Sequence, residues 1–312
     1  MKKIEGLIAA TFAAYKNNGE INLDVIPAIV EQIIHDGLAG VFVCGTNGEG
    51  PSLTTEERMQ VAEAYVKATN KRILVLVHVG HSSIVEAKKL AAHAAQIGAD
   101  AISSVSAFYF KPGSTQALVA SLAEIAGAAP SLPFYYYHIP HLTGLTMDMV
   151  SFLELAEAAI PNLAGIKYTG STLHEYEACL NYKGGKFDVL FGFDEMLLGA
   201  LAVGAKGAIG STYTFAAPLY RRIMEHFEHR HLEEAQQLQL QSIHMVRCLV
   251  KYSPIPAQRA IVEMLGIPLG KCRLPLVSLS QEEVERLEAD LSESNFFDVV
   301  QKCRDELAVM NV

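Results

Sequence analysis

Two hydrophobic rhythms alternate along the chain. Short apolar runs rich in Val and Ile are separated by longer stretches whose apolar residues recur at helical spacing. The short runs are LIAATFA (7–13), GVFVCG (40–45), ILVLVHVG (73–80), AISSVSAFYF (101–110), PFYYYHI (133–139), LAGIKYT (163–169), FDVLFGF (187–193) and KGAIGS (206–211). Near-continuous apolarity is what a strand of a parallel sheet needs, because helices cover both of its faces. Between the runs lie helical patterns such as TTEERMQVAEAYVKAT (54–69), SIVEAKKLAAHAAQIG (83–98) and MDMVSFLELAEAA (147–159). Thr54 and Thr55 ahead of Glu56 and Glu57 read as an N-terminal cap, and Gly98 and Gly204 as helix stops.

Eight strand–helix units are complete by residue 230, which predicts an α/β fold of the (β/α)₈ TIM-barrel type. A doubly wound open sheet is the rival, but no G-x-G-x-x-G follows the first strand. After His231 the pattern turns helical, in 233–252, 256–266 and 280–291, with Pro254, Pro256, Pro268 and Pro275 marking turns. The expectation is one structural unit: a catalytic barrel over 1–230 and a C-terminal helical extension, 231–312, packed on it.

Composition narrows the partners. The net charge is -9, spread along the chain with no polybasic run, which argues against nucleic acid or an anionic membrane. Five cysteines, widely scattered and without a C-x-x-C pair, suggest neither a disulfide framework nor a zinc ribbon. The opening MKKIEGLIAATFAAYKNNGE invites a signal-peptide reading, but Glu5 and Gly6 interrupt it. No apolar run approaches the ~20 residues of a membrane span. A soluble cytoplasmic protein is expected.

Candidate chemistry follows from where the strands end, since barrel active sites form at the C-terminal rim. Lys167 closes the sixth run and Tyr137 nears the end of the fifth; Gly45-Thr46-Asn47-Gly48-Glu49 follows the second. Tyr109 ends the fourth, Asp194 and Glu195 follow the seventh, and Gly210-Ser211-Thr212 closes the eighth. Each has an ordinary structural explanation, and their convergence on one rim favours function. A lysine in a greasy strand end suits Schiff-base formation. A free lysine has pKa ~10.4, so about one amine in 2,500 is nucleophilic at pH 7. Burial disfavours the ammonium. The imine with an α-keto acid is an electron sink that lets a neighbouring C–C bond break or form. Tyr137 with the hydroxyl of Thr46 and with Tyr109 could shuttle the proton, and the Thr46-Asn47 turn could hold a carboxylate. Such chemistry needs no metal or redox cofactor. His78/His81, His138/His141 and His226/His229/His231 raise a metal-dependent alternative but lack a clear ligand set. A non-catalytic barrel would be expected to lose Lys167 or Tyr137, and both are present.

GTNGEG, the FYF of 108–110, the Y-H-I-P-H-L-T-G of 137–144, GIKYT and GFDE…GAIGSTY together resemble the N-acetylneuraminate lyase/dihydrodipicolinate synthase family. The resemblance runs from about residue 6 to beyond 260. It implies a homotetrameric barrel, a pyruvate-dependent class I aldolase whose only cofactor-like state is a covalent lysine imine. It implies Lys167 as the imine lysine, Tyr137 as acid/base, Thr46 and Asn47 as the pyruvate carboxylate site, and Tyr109 as a relay tyrosine near a subunit interface. Within the family, synthases usually carry an arginine where this chain has Leu142. The Asp194-Glu195 pair and Ser211, with Thr169 and Gly192 beside them, resemble the sialic acid-cleaving branch. That implies reversible cleavage of N-acetylneuraminate to N-acetylmannosamine and pyruvate, small molecules that would be the only partners. Dihydrodipicolinate synthesis, or action on another 2-keto-3-deoxy sugar acid, is the alternative. Asn47, where many members have a second hydroxyl, and His138, in place of the usual asparagine, depart from the pattern.

Overall fold

The computed structural model describes residues 3–310. Eight parallel strands close into a barrel in sequence order: β1 (Gly6–Ala10), β2 (Gly40–Val43), β3 (Leu74–His78), β4 (Ala101–Val105), β5 (Phe134–His138), β6 (Leu163–Tyr168), β7 (Asp188–Phe191) and β8 (Gly207–Gly210). Closure is direct, with Gly6 of β1 opposite Gly207 of β8. Eight helices follow the first seven strands or cross between them: α1 (Ile26–His35), α2 (Thr55–Thr69), α3 (Ile84–Gln96), α4 (Thr115–Ala126), the short α5 (Pro140–Thr143), α6 (Met149–Ala159), α7 (Leu173–Asn181) and α8 (Leu197–Ala202). After β8 come α9 (Tyr213–Glu228), α10 (Leu232–Leu249), α11 (Pro254–Met264), α12 (Gln281–Glu293) and α13 (Phe296–Met310).

Local chemistry explains the boundaries. Thr54 and Glu57 form the full capping box at α2, and Ser83, Ser114, Asp148 and Ser280 cap α3, α4, α6 and α12 with their side chains. Alternate strand residues face two different cores. Ile8, Phe42, Leu76, Tyr135, Leu190 and Ile209 fill the barrel interior, while Val41, Val75, Ile102, Tyr136, Ile166 and Val189 pack against the helices.

All eight strands end before their apolar runs do, and β1 and β4 stop furthest short. β1 ends at Ala10, because from Thr11 the chain leaves the β8 ladder; Ala13 N instead donates to Asn47 O (3.2 Å). β4 ends at Val105, opposite Tyr137, and not at residue 110. Phe108, Tyr109 and Phe110 therefore do not end a strand. They lie in the following loop, with Tyr109 79% exposed and Phe110 85%. Their β-propensity is real, but no neighbouring strand continues beside them to supply a ladder.

The C-terminal helices are stitched to early and late parts of the barrel. Gln239 of α10 accepts from Leu198 N (2.7 Å), and Arg304 of α13 pairs with the buried Asp36 after α1 (3.1 Å). Among the described residues, no helix is long and apolar enough to cross a membrane.

Gly165 places β6 against β7, where a Cβ would collide with the Asp188 carbonyl. Gly165→Ala is therefore expected to destabilise the fold by about 1–3 kcal/mol or more. A urea midpoint equal to that of the parent protein would remove this explanation for the glycine.

Candidate active site

β5 and β6 run in a register that pairs Tyr137 with Lys167. Lys167 is 3% exposed, and its Nζ lies 3.9 Å from the centre of the Tyr137 ring and 4.2 Å from that of Phe42. The two rings meet edge to face at 5.6 Å. They form the immediate surroundings of this nitrogen, in place of a carboxylate.

Thr46 and Asn47 lie in the turn after β2. Thr46 Oγ1 is 3.4 Å from the Tyr137 hydroxyl, which joins the turn to the lysine. Asn47 is buried, and its Nδ2 donor has no protein acceptor. A buried, unpartnered amide donor in a turn whose hydroxyl reaches the tyrosine beside the amine is a ready cradle for an anion.

Across the rim, Thr169 is also buried with its Oγ1 unpartnered. Gly192 abuts it so closely that a Cβ there would collide with Thr169 Oγ1. Asp194 follows β7. Its Oδ2 accepts from Thr212 N (2.9 Å) and Thr212 Oγ1 (2.7 Å), while Oδ1 is buried without a partner. Burial pushes the Asp194 carboxyl above the usual carboxylate range, partly offset by Thr212 and by the charge of Lys167. Glu195, less buried, is raised by burial and by Asp194 beside it. Ser211 is partly exposed at the end of β8.

The structure thus brings Lys167, Tyr137, Thr46, Asn47, Thr169, Gly192, Asp194, Glu195 and Ser211 to one rim. Tyr109 lies in the loop after β4 on the same face, but there it is exposed and its ring meets that of Phe110 (4.9 Å between centres). A cavity of about 270 Å³ opens over Thr46 and is walled by Glu49, His78, Phe108, Leu142 and Ile255. A larger one, about 470 Å³, lies on the outer side of the barrel by His138, Tyr168 and Glu175, facing away from the lysine.

Several contributors were not visible in the sequence. Phe42 forms half of the lysine's aromatic surround. His78 sits beneath the site with Nδ1 3.2 Å from Cys44 O; burial, then Arg58 and Lys167, hold it well below the usual imidazole range, so it is neutral. Arg58 is itself buried and donates to Gly80 O (2.8 Å) and His78 O (2.6 Å). A lone arginine and histidine in apolar surroundings were the available signals. The candidate metal histidines are employed elsewhere: His138 lies between the Tyr136 and Tyr168 rings, and His226 contacts Arg222 (2.9 Å). Among the described residues no group of three or more His, Cys, Asp or Glu side chains is arranged to hold a metal.

The model of the dihydrodipicolinate synthetase family matches residues 3–294. The chain is 45% identical over 282 residues to the N-acetylneuraminate lyase of Xenopus tropicalis, spanning 89% of this chain and 92% of that protein. It is 40% identical over 300 residues to the rat (Rattus norvegicus) N-acetylneuraminate lyase, 95% of this chain and 94% of the other. The solved N-acetylneuraminate lyase (sialic acid aldolase) of Aliivibrio salmonicida superposes with a TM-score of 0.92 at 41% identity, over 95% of this chain and 98% of that one.

Burial pushes His138 down to about 4. An unfolded histidine titrates near ~6.5, so between these pH values the unfolded chain binds a proton that the folded one refuses, and stability falls as pH drops through that window. His138→Asn is expected to flatten the dependence there by up to about 1.4 kcal/mol per pH unit. Urea titrations between pH 6.5 and 4 check this; an unchanged slope would refute it.

Proposed function

The chain belongs to the dihydrodipicolinate synthetase family, and from that premise we propose that it is a lyase, a class I aldolase that reversibly cleaves N-acetylneuraminate to N-acetylmannosamine and pyruvate. The observation that carries the reading is Lys167: an amine 3% exposed, facing two aromatic rings, beside a turn whose buried amide donor lacks an acceptor. The 40% and 45% identities to N-acetylneuraminate lyases support the choice of sugar.

The neutral amine of Lys167 attacks C2 of the open-chain sugar acid. The ketone oxygen leaves as water, and a protonated imine remains. Thr46 and Asn47 hold the carboxylate, with Asn47 Nδ2 gaining its missing acceptor. Tyr137, 3.4 Å from Thr46 Oγ1, gives its own proton to the departing water and then, as the phenolate, takes the proton of the C4 hydroxyl. The C3–C4 electron pair then flows into the imine, giving an enamine and releasing N-acetylmannosamine as the aldehyde. Protonation at C3 restores the imine, and water hydrolyses it to pyruvate and free lysine. The electron sink is the imine itself, so neither a metal nor a redox group takes part. On the opposite side Thr169, Gly192, Asp194, Glu195 and Ser211 receive the polyhydroxylated chain, since carboxylates accept several hydroxyl donors.

The synthase alternative is disfavoured by Leu142, an apolar, 56% exposed residue at the mouth where a second substrate carboxylate would require a cation. We place Tyr109, exposed beside Phe108 and Phe110, at a contact between subunits of a homotetramer, where it serves a neighbouring copy's relay. All five cysteines are free, which fits a reducing cytoplasm.

Lys167→Ala is expected to abolish both turnover and borohydride trapping of pyruvate. Tyr137→Phe should slow cleavage by about 10²–10⁴-fold while leaving trapping measurable, the range for loss of a general acid/base. Wild-type rates in either variant sink the assignment. Glu195→Gln is expected to raise the KM for the sugar acid at least several-fold without moving half-saturation of trapping by pyruvate. An equal shift in both would mean that Glu195 does not act on the sugar side.

A further inference from the structure

We propose that Arg259, on helix α11 of the C-terminal region, is a positioning residue for the Thr46-Asn47 turn: through Glu49 and Ala13 it sets how well that turn grips the carboxylate of an α-keto acid. The inference rests on the aldolase reading above and adds to it a role for a residue outside the rim.

The turn is held from two sides. On one, Glu49 closes it, its N donating to Thr46 O (3.0 Å), and Gly50 N donates to Gly45 O (3.1 Å). Glu49 adopts φ 47°, a left-handed conformation that a non-glycine residue seldom takes unless its surroundings impose it. On the other, Ala13 N donates to Asn47 O (3.2 Å). Arg259 grips both supports. Its Nη1 lies 3.1 Å from Glu49 Oε1 and also donates to Ala13 O, and its Nη2 donates to Leu269 O (3.0 Å) and Gly270 O (2.7 Å). Tyr15 adds a donor to the other Glu49 oxygen (3.2 Å). The Arg259 and Glu49 side chains are 3% and 0% exposed, so neither relaxes into solvent. A second clamp lies alongside: Arg273 pairs with Glu57, the cap residue of the helix that leaves the turn (2.6 Å), and stacks 4.7 Å over the Tyr15 ring. A buried ion pair of this kind costs desolvation and is weak support for stability alone. Here it fixes the one turn on which an unpaired Asn47 donor must meet an anion with hydrogen-bond accuracy.

The consequence is a split. Arg259 governs recognition of the carboxylate and not the reactivity of the amine. Borohydride trapping of the full-length protein can separate the two, using pyruvate and its uncharged methyl ester as alternative ketones. Arg259→Lys keeps a cation but loses the planar fork. It should raise the half-saturating pyruvate concentration at least about tenfold, the scale of one charge-assisted hydrogen bond, while methyl pyruvate shifts less than about twofold. Tyr15→Phe, a smaller change, should shift pyruvate in the same direction by about threefold. Equal weakening of both ketones would mark a merely structural role and overturn the proposal, as would an unmoved pyruvate value. If Arg259→Lys fails to fold, Tyr15→Phe decides on the same criterion. A parent protein that forms no reducible adduct with pyruvate overturns the aldolase reading and this inference together, whereas an adduct with unmoved variants overturns only the inference.

Discussion

Register between β5 and β6 is the constraint from which the site follows. Side chains alternate across a strand, so Tyr137 and Lys167 face the barrel interior only because they are opposite each other and of matching parity. A slip of one residue in either strand would turn Tyr137 or Lys167 into the helical layer and bring His138 or Tyr168 inward instead. Two features hold the phase. Tyr136 and Tyr168 are both buried in the outer core, and the irregularity at Phe134/Tyr135 sets the spacing at the start of the pair. At the barrel floor the same strand is pinned again, where the Tyr135 hydroxyl donates to Asp188 Oδ2 (2.9 Å).

The aromatic surround of Lys167 acquires a purpose from that geometry. Ring faces attract positive charge, and the effect grows when water is excluded. In the proposed reaction the nitrogen is positively charged again once the imine is protonated, so Phe42 and Tyr137 face the charge that chemistry creates. His78 nearby is held neutral and adds no repulsion, while Asp194 interacts with Lys167 from the far side of the rim. Buried polar groups are costly unless paired. In the proposed reaction, three of the unpaired groups, Asn47 Nδ2, Thr169 Oγ1 and Asp194 Oδ1, would be satisfied by the substrate's carboxylate and hydroxyls.

The barrel was legible because parallel strands covered on both faces read as continuous apolar runs, and eight such runs stand in this sequence. The same signal overshot at β1 and β4, where the ladder ends before the run does. Phe12 and Ala13, and likewise Phe108, Tyr109 and Phe110, prolong the apolar pattern but have no strand partner beyond Ala10 and Val105. Lys167, Tyr137 and the Thr46-Asn47 turn could be read because a strand end in a barrel has only one rim to face. Arg259 could not be tied to Glu49, because the two are separated by 210 residues and meet only through the packing of α11. The depressed imidazole of His78 was equally out of reach, since it depends first on burial and then on Arg58 and Lys167, all brought together by tertiary folding.

Asp194 and Glu195 show why adjacency in sequence does not mean equivalence in role. They look like a matched pair of acceptors, yet Asp194 spends one oxygen on Thr212, and its backbone carbonyl accepts from Gln239 Nε2 at 3.4 Å. What remains is a single acceptor, Oδ1, rigidly aimed because the rest of the side chain is tied down. Glu195 is less buried and carries none of these ties to Thr212, so it can adjust to a ligand. A flexible polyol gains little from two adaptable acceptors, since each must be ordered at binding. In the proposed reaction, one fixed oxygen would set the sugar's position and one movable carboxylate would follow its remaining hydroxyls, a division of labour that the different ties of these two neighbours allow.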